Sequence, residues 1–532
     1  MGTLYIDTGG SATNSGSRDS NTAALSGTGA TNVGTTVNLP AGTDLSSVQT
    51  SGATQDTIYL NDATNANRKI FWITAVDDAL DTVTVDTAPT GLVSSSWAIG
   101  GRYAAPAGNG LNLIEGAFRA GDTITINNSP AAATVDWITA RAVGTSADGF
   151  IKVQGKTGVR PVINITNTTQ VFEGADQDLW RIENIEADQD GASGNAITLL
   201  GAGSVVYNVK VSDAGGIGIN PDEVGVKIVG CEVSGTADGI NTNISYSAIG
   251  NYIHDVSGDG VENTAANPTF ILLLNNIIDT CAGRGILDSG AATTNQQNIV
   301  SIGNTVYGCG NTGLEITDAD RQVMLCNNIL SENGNAAGEY NVEWVAGDAE
   351  KVSFHAWNVF FHSDDAGGSL LGLTVNAQVA SSEFTTDPQF TNTRATVTAT
   401  SASPCVFTVT AGTVPSNGNS GLLSVGSGGA LPTGFTATTT YFVVNVSGST
   451  FQLSLTSGGA GVNSSSTGTA PFYYHTGSTA NFAIASTSPA KATGFPGQFL
   501  GGSLGYLDIG AVQRQEPASG GIRLAGHGGL AA

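Results

Sequence analysis

The chain has 532 residues, of which 72 are Gly and only 12% are charged, and its formal net charge is −25. That length accommodates several domains and a sizeable core, while abundant Gly, Ser, Thr and Asn favour strands and tight turns over helices, which draw on Leu, Glu and Lys. The acidic balance argues against nucleic acid and anionic membrane as partners; no run of about 18 apolar residues suggests a membrane span, and MGTLYIDTGG has no basic and apolar leader, so no export signal is expected.

Residues 1–104 contain short alternating runs, DTIYLND, KIFWITAV and SSWAIGG, with DDALD as a turn. They read as a β-rich attachment or capping domain. From 105 to 393 the chain repeats itself. An Asn precedes the second apolar run of each phrase, at Asn184, Asn208, Asn251, Asn276, Asn304, Asn328 and Asn358, and Cys231 takes that place in IVGCEV. A Gly followed by an apolar residue keeps the same step, at Gly216, Gly239, Gly260, Gly285 and Gly313. A period near 24 residues with short apolar runs predicts coils of a right-handed, single-stranded parallel β-helix. A leucine-rich repeat shares the period and the Asn, but Ile, Val and Gly stand where its consensus requires Leu. In the β-helix reading the Asn turns the corner in a left-handed conformation and stacks on its equivalents as an amide ladder. The marker Gly is expected to supply positive φ at the next bend.

Residues 394–477 change habit. They are rich in Thr, Ser and Gly, and YFVVNV and TFQLSL form two strands joined by SGS, so a β-sandwich-like module inserted near the C-terminus is expected. Residues 478–514 resume as a C-terminal β-helix cap. Residues 515–532 are a Gly/Ala-rich arm, flexible unless ordered against a partner.

GDTITINN (121–128) followed by GTSADGFIKVQGKTGVRPVI (144–163), with FTTDPQF (384–390) and LDIGAVQ (507–513) at the other end, resembles the opening and closing of pectin-lyase-like β-helix proteins. LPTGFTATTTYFVVNVSGSTFQLSLTSGGAGV (431–462) resembles a small β-module of bacteriophage structural proteins. These resemblances imply an all-β parallel β-helix protein on the surface of a phage virion, of tailspike, head-fibre or decoration type, working without a cofactor. They also imply contacts with capsid or tail proteins, self-association as a homotrimer, and adhesion to cell-surface polysaccharide. The fold hosts lyases, hydrolases, adhesins and spikes alike, so function must be argued from the site.

For catalysis the best residues are Glu262, Asp288 and Glu315. Glu262 and Glu315 fall two coils apart, about 9.6 Å, near the upper end of the carboxyl separation in inverting glycosidases. Asp288 lies one place beyond their row. On a lyase reading Arg284 is the candidate base or substrate anchor, and Trp344 and Trp357 are candidate sugar platforms or interface residues, with Phe354, Phe360 and Phe361 beside them. Turn residues of an acidic scaffold and late-coil core are the simpler readings of both sets. The five His residues show no metal-ligand spacing, so no metal is expected. Cys281 and Cys309 should stack on adjacent coils as reduced thiols. A polysaccharide depolymerase, hydrolase or lyase, is the alternative to the adhesive virion protein.

Overall fold

The computed structural model describes residues 2–511 except 62–68, 93–94, 107, 109, 112, 168, 192, 243, 265–269, 290–296, 318–320, 335–338, 345–353, 362–386, 389, 391–393, 413, 426–429, 437–438, 471, 477–481, 483, 486 and 491–509. The arm at 515–532 and most of FTTDPQF and LDIGAVQ lie outside the described residues. What is described is all-β, relieved by one short 3-10 turn at Glu115–Ala117. No helix among the described residues is long and apolar enough to cross a membrane. The chain divides into two compact units, Met1–Ser247 and Ala248–Ala532.

In Met1–Ser247 three parallel sheets wind around one core. The first runs in spatial order through Thr3–Ser11, Thr123–Ile126, Ile151–Gly155, Trp180–Glu183, Val205–Tyr207 and Val226–Val229. The second holds Val162–Asn164, Glu186–Asp188, Lys210–Ser212 and Glu232–Ser234, and the third Ile138–Thr139, Phe172–Glu173, Ile197–Leu200, Ile219–Pro221 and Ile240–Thr242. In the first sheet Ile124, Val153, Ile182, Val206 and Ile228 stand in register, all buried. The twofold alternation of a strand sends these inward and their neighbours outward, so one aliphatic column supports every rung. The opening strand Thr3–Ser11 is itself the first rung, paired with Thr123–Ile126.

Between those two rungs the chain closes an antiparallel barrel from Leu25–Val33, Thr36–Asn38, Thr82–Val85, Ile70–Asp77, Thr57–Leu60 and Ser95–Ile99. Its core is Ile58, Leu60, Phe71, Ile73, Val83, Trp97 and Ile99. Trp72 faces away from that core and ties the barrel to the coils. Its indole N–H donates to the Ala117 carbonyl at 2.7 Å, and the Arg119 guanidinium lies 3.9 Å from the ring centroid. A Cβ at residue 2 would stand 2.2 Å from that ring, so the strand can pass only as Gly2.

In Ala248–Ala532 three parallel sheets again wind around a core, the first holding Phe270–Leu274, Gln297–Ile302, Arg321–Cys326 and Phe354–Ala356. The second has Tyr252–His254, Ile277–Asp279, Thr305–Tyr307, Ile329–Ser331 and Val359–Phe361; the third has Val261–Asn263, Ile286–Asp288, Leu314–Ile316 and Val342–Trp344. Strands Arg394–Ala399, Phe407–Ala411, Thr450–Ser454, Tyr441–Ser447, Ser420–Val425 and Phe472–Thr476 form a second closed antiparallel barrel. Packed rings of Phe407, Phe435, Tyr441, Phe451, Phe472 and Tyr474 fill it. The module expected to be sandwich-like thus closes on itself, which leaves no unpaired edge. Past it the chain returns to the coils. Phe390 bridges Ile484, Phe482 packs on Tyr307, and Ile484 and Ala490 pack on Ile329 and Val359.

The corner between first and second sheets separates two roles that the sequence had merged. Asn251, Asn276, Asn304, Asn328 and Asn358 form the buried ladder. Each Oδ1 from Asn276 onward accepts both the backbone N–H and the side-chain amide of the Asn one coil earlier, at 2.8–3.1 Å. Each of those four amides also donates to a carbonyl of the previous coil, those of Ala248, Leu273, Ser301 and Leu325. Asn184 and Asn208 sit one residue earlier, in the left-handed slot at φ 55° and 50° that Asn275 and Asn327 occupy farther on. They are corner residues outside the ladder. The slot they precede holds Ile185 and Val209, and then Cys231, whose thiol reaches the Val206 carbonyl at 3.6 Å. The marker glycines also differ from expectation. Gly260, Gly285 and Gly313 are not left-handed; a Cβ on Gly285 would meet Val306 Cγ1 at 2.2 Å and the Gly313 carbonyl at 2.6 Å. Close approach of neighbouring coils, and not φ, excludes a side chain there.

Asn304→Ala should bare two donors of Asn276 and the Leu273 carbonyl, at about 1–3 kcal/mol for each buried group left unsatisfied. Denaturant unfolding is expected to show a loss of at least about 3 kcal/mol. Asn208→Gly, at a half-buried left-handed corner, keeps the backbone conformation and loses only the side-chain bonds to Arg160 and Asn184, so it should cost about 1 kcal/mol, well below Asn304→Ala.

Candidate functional site

The third sheet of Ala248–Ala532 carries an outward row in which Glu262, Leu287, Glu315 and Glu343 are neighbours in register. Beside it, in the turn that leads into Ile286–Asp288, lies Arg284. Its Nε donates to Glu315 Oε2, its backbone N–H donates to Asp259 Oδ1 at 2.6 Å, and its Nη1 lies 3.7 Å from Asp259 Oδ2. The Glu315 hydrogen bond and the charges of Glu315, Asp259 and Glu262 hold the guanidinium even more firmly protonated than usual, against the opposing effect of burial. Thr312 donates to Glu343 Oε2 at 3.2 Å. Arg284 therefore neutralises a carboxylate row while being itself oriented by it.

Asp288 does not join this row. It alternates to the inner face with Ile286 and Ile316, is 1% exposed, and accepts a hydrogen bond from Asn263 in the rung before. A residue one step along a strand points to the opposite face, so Asp288 is a buried polar rung and Glu262 and Glu315 remain on the outside. Trp357 occupies the left-handed corner at φ 57° and packs with Ile329, Val359, Ile484 and Ala490, while Phe360 is fully buried. Both belong to the late-coil core. Trp344 takes its place in register with Ile316; its side chain, like that of Phe354, lies outside the described residues.

All five cysteines are buried free thiols. Burial, and then the Cys309 thiol hydrogen-bonded to it, push Cys281 well above the ordinary thiol range. Cys231 is pushed up to about 12 by burial. Neither thiol is a nucleophile at neutral pH.

A second acidic group, in Met1–Ser247, was not singled out from the sequence. Glu173 ends a third-sheet strand and Asp222 follows Ile219–Pro221, two coils farther on. Burial raises the Asp222 carboxyl, and a hydrogen bond to Asp176 and the charges of Asp176 and Glu223 raise it further. Glu173 is raised by burial and by Asp136, Asp176 and Asp222, against a hydrogen bond from Ala175 N. Ala175 and Asp176 are consecutive left-handed residues, at φ 46° and 57°. The only sequence signal for the cluster was the acidic spacing across unlike turns, EGADQD and NPDE.

Separation decides what these pairs can do. Glycosidase carboxyls stand about 5–5.5 Å apart in retaining enzymes and about 6.5–9.5 Å in inverting ones. Asp176 lies near enough to Asp222 to raise its carboxyl. Glu262 and Glu315 are two strands apart, about 9.6 Å at the backbone, and Glu315 is engaged by Arg284.

No protein-family model and no curated protein matches the chain. Among solved structures it is similar to the Dettilon tailspike protein at 13% identity, covering 67% of this chain and 87% of that one, with a TM-score of 0.28. It is similar to the catalytic unit of a GH87 alpha-1,3-glucanase from Streptomyces thermodiastaticus at 12% identity, over 63% and 88%, with a TM-score of 0.20. The tailspike of Pseudomonas phage phi297 matches at 11% identity over 85% and 80%, with a TM-score of 0.15.

The raised Asp222 carboxyl makes a signed prediction. A raised folded-state value contributes stability below the ordinary aspartate range, about pH 3.9, and that contribution is lost as pH rises through the raised value. Asp176→Asn removes the repulsion, so thermal midpoints should rise at pH 7 and approach those of the unmodified chain at pH 3. In its strand pairing, this chain has a parallel β-helix fold, with one closed antiparallel β-barrel in each of its two units.

Proposed function

We propose that this chain is a bacteriophage virion structural protein exposed on the particle surface, as a tailspike, head fibre or decoration. In this role it associates with copies of itself and contributes to adhesion to host-surface glycans. The observation that carries this reading is an apolar outer face on the first sheet of Ala248–Ala532. Leu272, Val300 and Met324 form one outward row in register, and Leu274 and Ile302 stand in the next, with Phe270 at 42% exposure beside them. The inward positions Ile271, Leu273, Ile299, Val323 and Leu325 are apolar as well. A strand apolar on both faces is the pattern of a sheet covered on both sides, and an apolar patch of this kind on a soluble surface marks an association site. The 431–462 module and its phage-type resemblance support the virion setting, and a homotrimer is the assembly that would cover three such faces.

Light scattering should give three times the 53.7 kDa of one chain. The double variant Leu272→Glu/Val300→Glu should scatter as a monomer with its β-sheet circular dichroism intact. An unmodified chain that stays monomeric at micromolar concentration would sink the self-association.

Glu262 and Glu315, outward and near the inverting separation, favour a second reading as a polysaccharide depolymerase. Incubation with bacterial surface polysaccharides is expected to release no new reducing ends and no ultraviolet-absorbing unsaturated product. If it does release them, and Glu262→Gln/Glu315→Gln abolishes the release, the adhesive reading gives way to hydrolase or lyase.

A further inference from the structure

We infer that the outer face of the first sheet in Met1–Ser247 is a binding site for a linear polysaccharide that carries carboxylate groups. The inference rests on the adhesive reading above and adds to it the place and the charge of the glycan.

Along this sheet Lys152, Arg181, Val205 and Lys227 stand in one outward row, in register on consecutive coils. The parallel row two residues on is Gln154, Glu183, Tyr207 and Val229. The whole chain has 19 Lys and Arg against 44 Asp and Glu, so three cations on four consecutive rungs run against its composition. Their one acidic neighbour in these rows is Glu183, which takes Arg181 at 2.5 Å and Lys152 at 3.4 Å. Lys227 is exposed and has no ion pair among the described residues. Three positive charges against one negative leave these two rows net positive.

The aromatic ring completes the chemistry. Tyr207 is 39% exposed, with the Arg181 guanidinium 5.2 Å from its ring centroid. A pyranose can lay its C–H face on such a ring, and a carboxylate on the same sugar meets the planar fork of Arg. Arg181 and Lys227 are two rungs apart, about 9.6 Å, roughly the length of two sugars in an extended chain. A glycan lying along the coil axis with one carboxylate in every second sugar can therefore place successive carboxylates at Arg181 and Lys227. A nucleic acid presents a charge at every nucleotide; the chain's net charge of −25 repels so dense a polyanion more strongly than a sparsely charged glycan.

The test uses the full chain in calorimetry at low salt against four probes: hyaluronan and polygalacturonate oligosaccharides, and the carboxyl-reduced, neutral form of each. A carboxylated probe should bind at least about tenfold more tightly than its neutral form, the worth of one charge-assisted hydrogen bond. Binding should weaken as salt is raised. Lys227→Gln and Arg181→Gln should each lose about tenfold by the same measure, with Tyr207→Ala losing affinity for both forms. Equal binding of charged and neutral probes, or binding indifferent to Arg181→Gln/Lys227→Gln, overturns the anionic site and leaves glycan adhesion standing. Equal competition by a short single-stranded DNA overturns it as a general polyanion effect. Binding of none of the four probes removes the site and counts against the adhesive reading as well.

Discussion

Every coil of a β-helix must turn corners, and at each corner the backbone leaves the sheet without its ladder partners. That is the constraint on which the rest of the molecule depends. In Ala248–Ala532 one side-chain type meets it. The Asn carboxamide accepts two hydrogen bonds on its oxygen and gives two from its nitrogen, which equals the demand of a corner whose neighbours lie one coil ahead and one behind. Because Asn276 is held by Asn304, and Asn304 by Asn328, each corner fixes the next one. Where the slot holds Ile185 and Val209, the corner is packed by apolar contact and the polar work passes to the left-handed residue outside it.

With the corners and the inward columns fixed, the outer faces are free of folding duties and can diverge. The first sheet is charged and aromatic on the outside at Lys152, Arg181, Tyr207 and Lys227, and apolar at Leu272, Leu274, Val300 and Ile302. The third sheet carries Arg284 among carboxylates. One scaffold thus offers surfaces of different chemistry without any change in the residues that hold the coils together.

Much of the architecture was legible because the period is long and the core positions repeat. What failed was the register within a period. Asn184 and Asn208 look like Asn276 in a one-dimensional pattern, yet the ladder and the left-handed corner are adjacent residues, and where both are Asn, as at 275 and 276, the letters do not separate them. Asp288 failed for the same reason: one step along a strand turns an outward carboxylate into a buried one. The grouping of Asp176 with Asp222 depends on which turn of one coil overhangs which turn of another, and no local pattern encodes that. The closure of both antiparallel modules into barrels was hidden likewise, since the pairing of first with last strand is a contact between distant residues.

The two barrels share a further property. The first is spliced between paired rungs, with Ala24 N–H bonded to the Ile99 carbonyl where it leaves and returns. The second hangs between Phe390 and Ile484, which bridge each other directly. A module whose two ends already touch can be lengthened or exchanged on its far side with little strain on the rungs it joins, because the loop it closes spans almost no distance. Exchange of either module at its seam would therefore leave the flanking strands of its own unit paired as they are, so what a unit displays is separable from how it folds.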